Sequence, residues 1–372
     1  MAGLIVHEWI ASIGGSEKVV EQFVRLFPEA DLAVLWDDTE GRLSPRTRES
    51  WLARTPLRRS KALALPFQPV TWRNIRKESD YDWILVSSHL FAHHASVPGR
   101  RDLPKIVYAH TPARYIWEPD LDRRGSHAAV RVAASAFKRV DRLRAQEALS
   151  IAANSEFTQR RIERVWGRQA EVIYPPVQVE RITAIEDWRD HLNAVDLATL
   201  SALPADFLLG ASRFVSYKRL DAVIDAAVAN SLPVVLAGGG PQEEELRDYA
   251  RERGASLHVV PRPSDALLFC LYQQCIAYVF PAIEDFGIMP VEAMAAGARV
   301  IVPDEGGAAE SVARLGGGAV VSDFSPAGWQ EAVAEAIAVD ISGLRERTMT
   351  FSEQAFGEAI LRWTSSTIGA PA

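Results

Sequence analysis

One stretch narrows the possible folds more than any other part of the chain: residues 280–307, FPAIEDFGIMPVEAMAAGARVIVPDEGG. It opens at the end of an apolar run, 276–280, and closes on a second, 298–302; runs of this length read as buried strands. Between them Pro290 suits the first position of a helix, where its missing N–H costs nothing. Val291, Met294 and Ala295 give that helix an apolar face, and Gly297 is its stop. Strand, loop, helix and strand in this order make the parallel unit of a doubly wound α/β sheet.

The loop before the helix, Glu284-Asp285-Phe286-Gly287-Ile288, carries the chemistry. Gly287 allows the backbone to approach a ligand closely. Free N–H groups and the positive end of the helix dipole suit a phosphate. Glu284 precedes the turn and Glu292 sits about one turn into the helix, so both can face one crevice. A carboxylate beside a phosphate would repel it, which leaves neutral hydroxyls, of sugar or ribose, as their partners. Read alone, the two glutamates are equally a loop charge and a solvated helix residue.

With FGI and PVEAMAAG around them, Glu284 and Glu292 resemble the paired-glutamate motif of retaining glycosyltransferases of family 4, which have the GT-B fold. The nearest likeness is to the family's bacterial mannosyltransferase-like group. The resemblance implies two doubly wound Rossmann-like domains facing across a cleft. It implies a nucleotide-diphosphate-sugar donor (GDP-, UDP- or dTDP-linked) and a hexose, mannose-like, passed with retention to a hydroxyl. It also implies no metal or other cofactor. Asp120-Leu121-Asp122 mimics a metal-binding Asp-x-Asp but follows no strand.

The rest of the chain extends the likeness. Gly14-Gly15 opens an amphipathic stretch, 16–27, with Val19, Val20, Phe23, Val24 and Phe27 on one face. In the family this loop faces the donor and helps position the acceptor. Strands are expected at 4–6, 31–35, 83–86, 106–108 and 151–155, and 172–177, with two adjacent prolines, reads as the stiff exit of the first domain. YAHTPARYIW, 108–117, matches the family's His-Thr-Pro-x-Arg-Tyr loop. That match puts His110 beside the donor sugar and Arg114, Tyr115 and Trp117 on the acceptor side. His93, His94 and His127 read as structural. A long helix is expected over 128–150. Ser155 reads as an N-cap, and its family counterpart lies near the acceptor. Residues 178–204 read as a polar, irregular connection.

The second domain is expected from 205 to 345, with strands at 207–211, 234–237 and 256–260. Arg213 and Lys218 match the family's cations that hold the donor's phosphates. Gly239, in the glycine run after the 234–237 strand, is read as donor-side. So is Arg262, whose Pro261-Arg262-Pro263 context departs from the family's Leu-Gly-x. Donor contacts are also expected from Gly15, Asp285, Phe286, Gly287 and Ile288. A last helix, about 346–363, should pack back on the first domain, 1–177.

Charge and cysteine usage bound the rest. Residues 1–186 hold 28 basic and 23 acidic residues, and 187–372 hold 13 and 25. The acidic second half speaks against nucleic acid as a partner. Basic clusters near Arg58 and near Arg139 read as solvated faces or as a surface for an anionic membrane or phosphorylated acceptor. Cys270 and Cys275, the only cysteines, read as reduced thiols. The chain starts on what reads as a strand rather than a signal peptide, and no apolar run approaches the roughly 18 residues of a membrane helix. A cytoplasmic protein, possible at the inner membrane face, is expected. A nucleotide-sugar epimerase and a non-catalytic sugar-binding protein are the alternatives.

Overall fold

The computed structural model describes residues 2–11, 14–118 and 128–369. The chain divides into two compact units, Met1–Pro176 with Gln354–Ala372, and Val177–Glu353.

The first unit is built on a parallel seven-stranded sheet. Its strands are β1 (Gly3–His7), β2 (Asp31–Val34), β3 (Thr47–Glu49), β4 (Trp83–Ser88), β5 (Lys105–Ala109), β6 (Ser150–Ala153) and β7 (Glu171–Val172), in the order β3-β2-β1-β4-β5-β6-β7. Strands β1, β4 and β5 are apolar throughout their middles because helices cover both faces. The order reverses between β1 and β4, and ligands of doubly wound sheets bind outside the carboxyl ends of the strands at such a point.

The Gly15–Leu26 helix lays Val19, Val20 and Phe23 into this core. The C-terminal Glu353–Ile368 helix packs there too: Phe356 lies 6.0 Å from Phe23 and 5.8 Å from Tyr108, and the Trp363 indole donates to the Ser150 hydroxyl at 2.9 Å.

The second unit carries a parallel six-stranded sheet: β8 (Leu208–Arg213), β9 (Val234–Gly239), β10 (Leu257–Pro261), β11 (Ala277–Val279), β12 (Val300–Pro303) and β13 (Gly318–Val321), in the order β10-β9-β8-β11-β12-β13. Its reversal lies between β8 and β11. The strands that leave this point lead into two loops that carry charge, after Arg213 and before Gly287.

Several boundaries differ from the sequence reading. Residues 178–204 are not irregular: they hold helices Val179–Thr183 and Ala194–Ser201, and belong to the second unit. Trp188 between them is buried against Phe269, 4.7 Å away, an anchor that polar composition hides. The helix after the paired-glutamate loop starts at Ile288, so Pro290 is its third residue. Proline is tolerated there because that N–H would also lack an intrahelical acceptor. The long helix stops at Ala145, since β6 already begins at Ser150. The final helix is broken: Ser352 is extended (ψ 159°), separating a short Leu344–Arg347 helix and a 3₁₀ turn from Glu353–Ile368. Asp120, Asp122, Arg123, Arg124 and His127 lie outside the described residues.

Candidate active site

In the second unit the residues at the β8–β11 reversal converge. Arg213 ends β8, exposed, and donates to the Tyr217 hydroxyl at 2.6 Å. Lys218 closes the next 3₁₀ turn, its side chain 9% exposed, with its ammonium ion-paired to Glu284. It also lies 5.4 Å from the ring centres of Tyr217 and Phe280. The pairing offsets the charge of Glu284 with that of Lys218.

Gly287 caps the Ile288–Ala296 helix at φ 84°, a left-handed conformation that suits glycine, with no side chain satisfying the first N–H groups. The amides of Gly287 and Ile288 have no acceptor among the described residues. Asp285 and Phe286 are buried, Phe286 against Phe351 at 5.6 Å, so the loop is fixed from below. Gly306 and Gly307 hold it from the side. The Gly307 amide donates to the Glu284 carbonyl at 2.8 Å, and a Cβ on Gly307 would sit 2.2 Å from the Asp285 carbonyl oxygen. That packing role is one the sequence reading did not assign to this glycine pair.

Tyr278 lies within the field of both Glu284 and Glu292. Its phenol is raised well above the ordinary value by burial first and then by Glu284, with Glu292 adding to the effect. Glu292 is half-buried. Gly239 ends β9, and a Cβ there would lie 3.9 Å from the Arg262 side chain, so these two expected donor-side residues are neighbours. Gly238 and Gly240 answer a different need: a Cβ on either would clash with backbone of residues 212 or 214.

In the first unit His110 follows β5. Its amide donates to the Ser88 carbonyl at 2.8 Å and its Nε2 lies 2.8 Å from the Ser87 hydroxyl. Burial, then the neighbouring His89 and His7, hold its pKa well below the usual histidine value. Ser155 caps the Glu156–Trp166 helix, accepting from the Thr158 amide at 3.0 Å, and the Thr158 hydroxyl reaches the His110 carbonyl at 3.4 Å. Arg114, Tyr115 and Trp117 fall in the short Arg114–Trp117 helix. The Trp117 indole is committed to the protein: it donates to Asp141 at 2.8 Å, with Lys138 and Arg142 over its ring at 5.4 and 5.5 Å. Gly14 caps the first helix, and Glu17 Oε2 fills the place a Cβ on Gly14 would take, 2.0 Å away.

Two polar clusters of this unit were not legible as clusters in the sequence, although His93 and His94 read as structural and are buried. Glu8, fully buried, accepts from the amides of His89, Leu90 and Ala92 at 3.2, 2.8 and 2.9 Å. Burial raises its pKa, but His89, His7 and these amides outweigh that and leave it lowered. Asp141, also fully buried, takes the Trp117 and Trp166 indoles on Oδ2, at 2.8 and 2.7 Å. Its Oδ1 lies 3.1 and 3.2 Å from Nε2 of His93 and His94. Ligand atoms of His7, Glu8 and His89, and those of His93, His94 and Asp141, lie within 4.8 Å of one another, the two groups among the described residues that could hold a metal ion.

Residues 13–181 match the model of Glycosyltransferase Family 4, and residues 200–355 that of Glycosyl transferases group 1. The O-antigen chain mannosyltransferase C of Escherichia coli is 40% identical over 102 residues, 26% of this chain and 26% of the relative. A D-inositol 3-phosphate glycosyltransferase of Jonesia denitrificans is 28% identical over 204 residues, 50% of this chain and 47% of the relative. The chain thus spans between a quarter and a half of the length of these curated relatives. Among solved structures, that of Anabaena Alr3699/HepE in complex with UDP-glucose superposes with a TM-score of 0.67, at 18% identity, covering 98% of this chain and 99% of that one. Two parallel Rossmann-like sheets, each half matching its own glycosyltransferase model, give this chain the GT-B fold of the glycosyltransferases.

Proposed function

We propose that the protein is a retaining, metal-independent glycosyltransferase of family 4 that moves a hexose, mannose-like, from a nucleotide diphosphate sugar to a hydroxyl. One observation carries the reading: Arg213, Lys218, Glu284 and the uncapped amides at Gly287 and Ile288 meet at the reversal point of the second sheet. The leaving diphosphate is where charge develops, and fixed cations and amides aimed at it lower the barrier most. Glu292 holds the ribose hydroxyls and Glu284 those of the sugar. Asp285, Phe286, Gly239, Arg262 and Gly15 line the donor's path. Gly14, Arg114 and Tyr115 belong to the acceptor side, and Trp117 and Ser155, held by Asp141 and by the Thr158 amide, shape that side from behind. In the front-face step the acceptor oxygen bonds to the anomeric carbon as the carbon–phosphate oxygen bond breaks on the same face. The acceptor's proton passes to the departing phosphate oxygen, which makes a separate base unnecessary. The mannosyltransferase relative and the UDP-glucose complex of the structural relative support a nucleotide-sugar donor.

The acceptor in this reading is a glycan, a lipid-linked sugar or a small molecule, met in the cytoplasm or at an anionic inner membrane face, and nucleic acid is not a partner. Positive charge in the first unit is concentrated in support of it. Arg73, Lys105 and Arg144 converge on Glu147 alone, at 2.5, 3.2 and 2.5 Å, and with Arg100 and Arg101 line a cavity of about 160 Å³. No helix among the described residues is long and apolar enough to cross a membrane. Incubation with GDP-, UDP- and dTDP-hexoses, with and without acceptor and with excess EDTA, tests the assignment. Transfer that keeps the donor's anomeric configuration and survives EDTA is expected. An inverted product, complete loss on chelation, or release of an epimer from donor alone would each remove part of the reading.

A further inference from the structure

At the carboxyl ends of β1, β4 and β5, His7, Ser87 and His110 form a hydrogen-bonded chain whose direction is fixed by its surroundings. His7 Nδ1 lies 3.2 Å from the Ser87 carbonyl oxygen and 3.1 Å from the Ser87 hydroxyl. A carbonyl only accepts, so Nδ1 carries the proton. Ser87 is fully buried, and its hydroxyl also lies 2.8 Å from His110 Nε2. Its O–H cannot aim at a nitrogen that already bears hydrogen, and a buried hydroxyl without an acceptor is unfavourable. His110 Nε2 is the acceptor left among the described residues. A neutral imidazole with a bare Nε2 carries its proton on Nδ1.

We propose that Ser87, oriented by His7, is a positioning residue that fixes His110 in its Nδ1–H form, so that His110 donates a hydrogen bond to a neutral oxygen of the transferred sugar and does not act as a base. The identity of the ligand rests on the transferase reading, whereas the tautomer rests on the protein alone. Glu8 supports the arrangement by pinning the turn after Ser88 through three amides and the Ser88 hydroxyl, 3.2 Å away. Serine, histidine and carboxylate together also make up a nucleophilic triad, but the burial of Ser87 denies its hydroxyl a substrate. The proton on His7 Nδ1, the nitrogen 3.8 Å from Glu8, likewise withdraws that atom from a metal-ligand set.

Two-bond ¹H–¹⁵N correlation on the histidine-labelled full chain at neutral pH tests this, with His110→Asn providing the assignment. His110 is expected as the Nδ1–H tautomer, and Ser87→Ala is expected to give a tautomer mixture. That variant should lower kcat about tenfold, the weight of one hydrogen bond, with donor KM little changed. His110→Asn, which offers an N–H near the Nδ1 position, should retain more activity than His110→Gln, whose amide lies nearer Nε2. An Nε2–H or cationic His110 in the wild type, or an unchanged tautomer in Ser87→Ala, overturns the proposal. The Nδ1–H form without any sugar transfer would uphold the tautomer and count against the transferase reading.

Discussion

In the first unit His7, Glu8, His93, His94, Lys105 and Asp141 are at most 4% exposed, and hydrogen bonds and ion pairs within the unit tie each of them down. In the second unit Arg213 and Arg262 are exposed, Glu284 keeps a quarter of its side chain in solvent, and among the described residues Lys218 and Asp285 are the buried Lys, Arg, Asp or Glu side chains. Both sheets reverse order once, and His7 with Glu8 in one, and Arg213, Lys218 and Glu284 in the other, lie at or just past the carboxyl ends of the strands beside the reversal. One architecture therefore treats charge in two ways. Buried and paired, it fixes a loop's shape; half-exposed beside glycine, it remains available to an anion arriving from solvent.

The largest effect that would break this contrast comes from Asp141→Ala. It strands two indole N–H groups and two imidazoles in the core, and losing one partner of a buried charged network costs about 3–5 kcal/mol. Thermal unfolding followed by tryptophan fluorescence should show the first unit melting early and the second unchanged. A first unit of wild-type stability would mean that the network is not structural.

Lys218→Ala tests the other side. The unit should stay folded while kcat falls by about 10²–10³, the usual effect of removing one group that stabilises developing charge. A comparable loss of stability would place Lys218 with the buried groups of the first unit and erase the distinction.

Acid sharpens the contrast by a smaller amount. Burial, then His93, holds His94 near pKa 4, and His7 and His110 are also lowered. Between about pH 6.5 and 4 the unfolded chain binds protons that the folded first unit refuses, so stability falls as pH falls through that window, up to about 1.4 kcal/mol per pH unit per histidine. The second unit, whose histidines His191 and His258 are not buried, should change less there. Equal acid sensitivity of both units would contradict this account.

Gly287→Ala should have the smallest effect. A non-glycine residue in the left-handed region costs about 1–2 kcal/mol, and the new Cβ would press on Ala308 at 3.0 Å. A modest drop in second-unit stability, read by denaturant titration, should accompany weaker binding of the nucleoside diphosphate. Unchanged binding would detach the loop from the phosphate role.

The second unit was the more legible of the two in sequence. Its charged residues sit within short motifs, so Glu284 with Gly287, or Arg213 with Lys218, can be seen as sets without knowing the fold. The buried clusters of the first unit join residues far apart in the chain: His94 meets Asp141 across 47 positions and Glu8 meets His89 across 81. Each of these residues alone has the composition of a surface group. Most strands were legible from their apolar runs. β3 was not, because Thr47-Arg48-Glu49 is a polar edge strand, and β13 hides behind the Gly316-Gly317-Gly318 run. The helices of 178–204 were missed because their amphipathic faces are short and one tryptophan does most of the anchoring.

The return of the Gln354–Ala372 segment to the first unit sets an order of events during synthesis. The ribosome finishes β1 to β7 long before it makes Phe356, Ile360 and Trp363, which complete the core around Phe23 and Tyr108. Until then the emerging first unit displays an apolar groove, while the whole second unit is translated behind it. Domains generally fold as units as they emerge, so the second unit can mature first although its sequence comes later. A nascent chain stalled before residue 353 would present that groove to chaperones or to a neighbouring nascent chain.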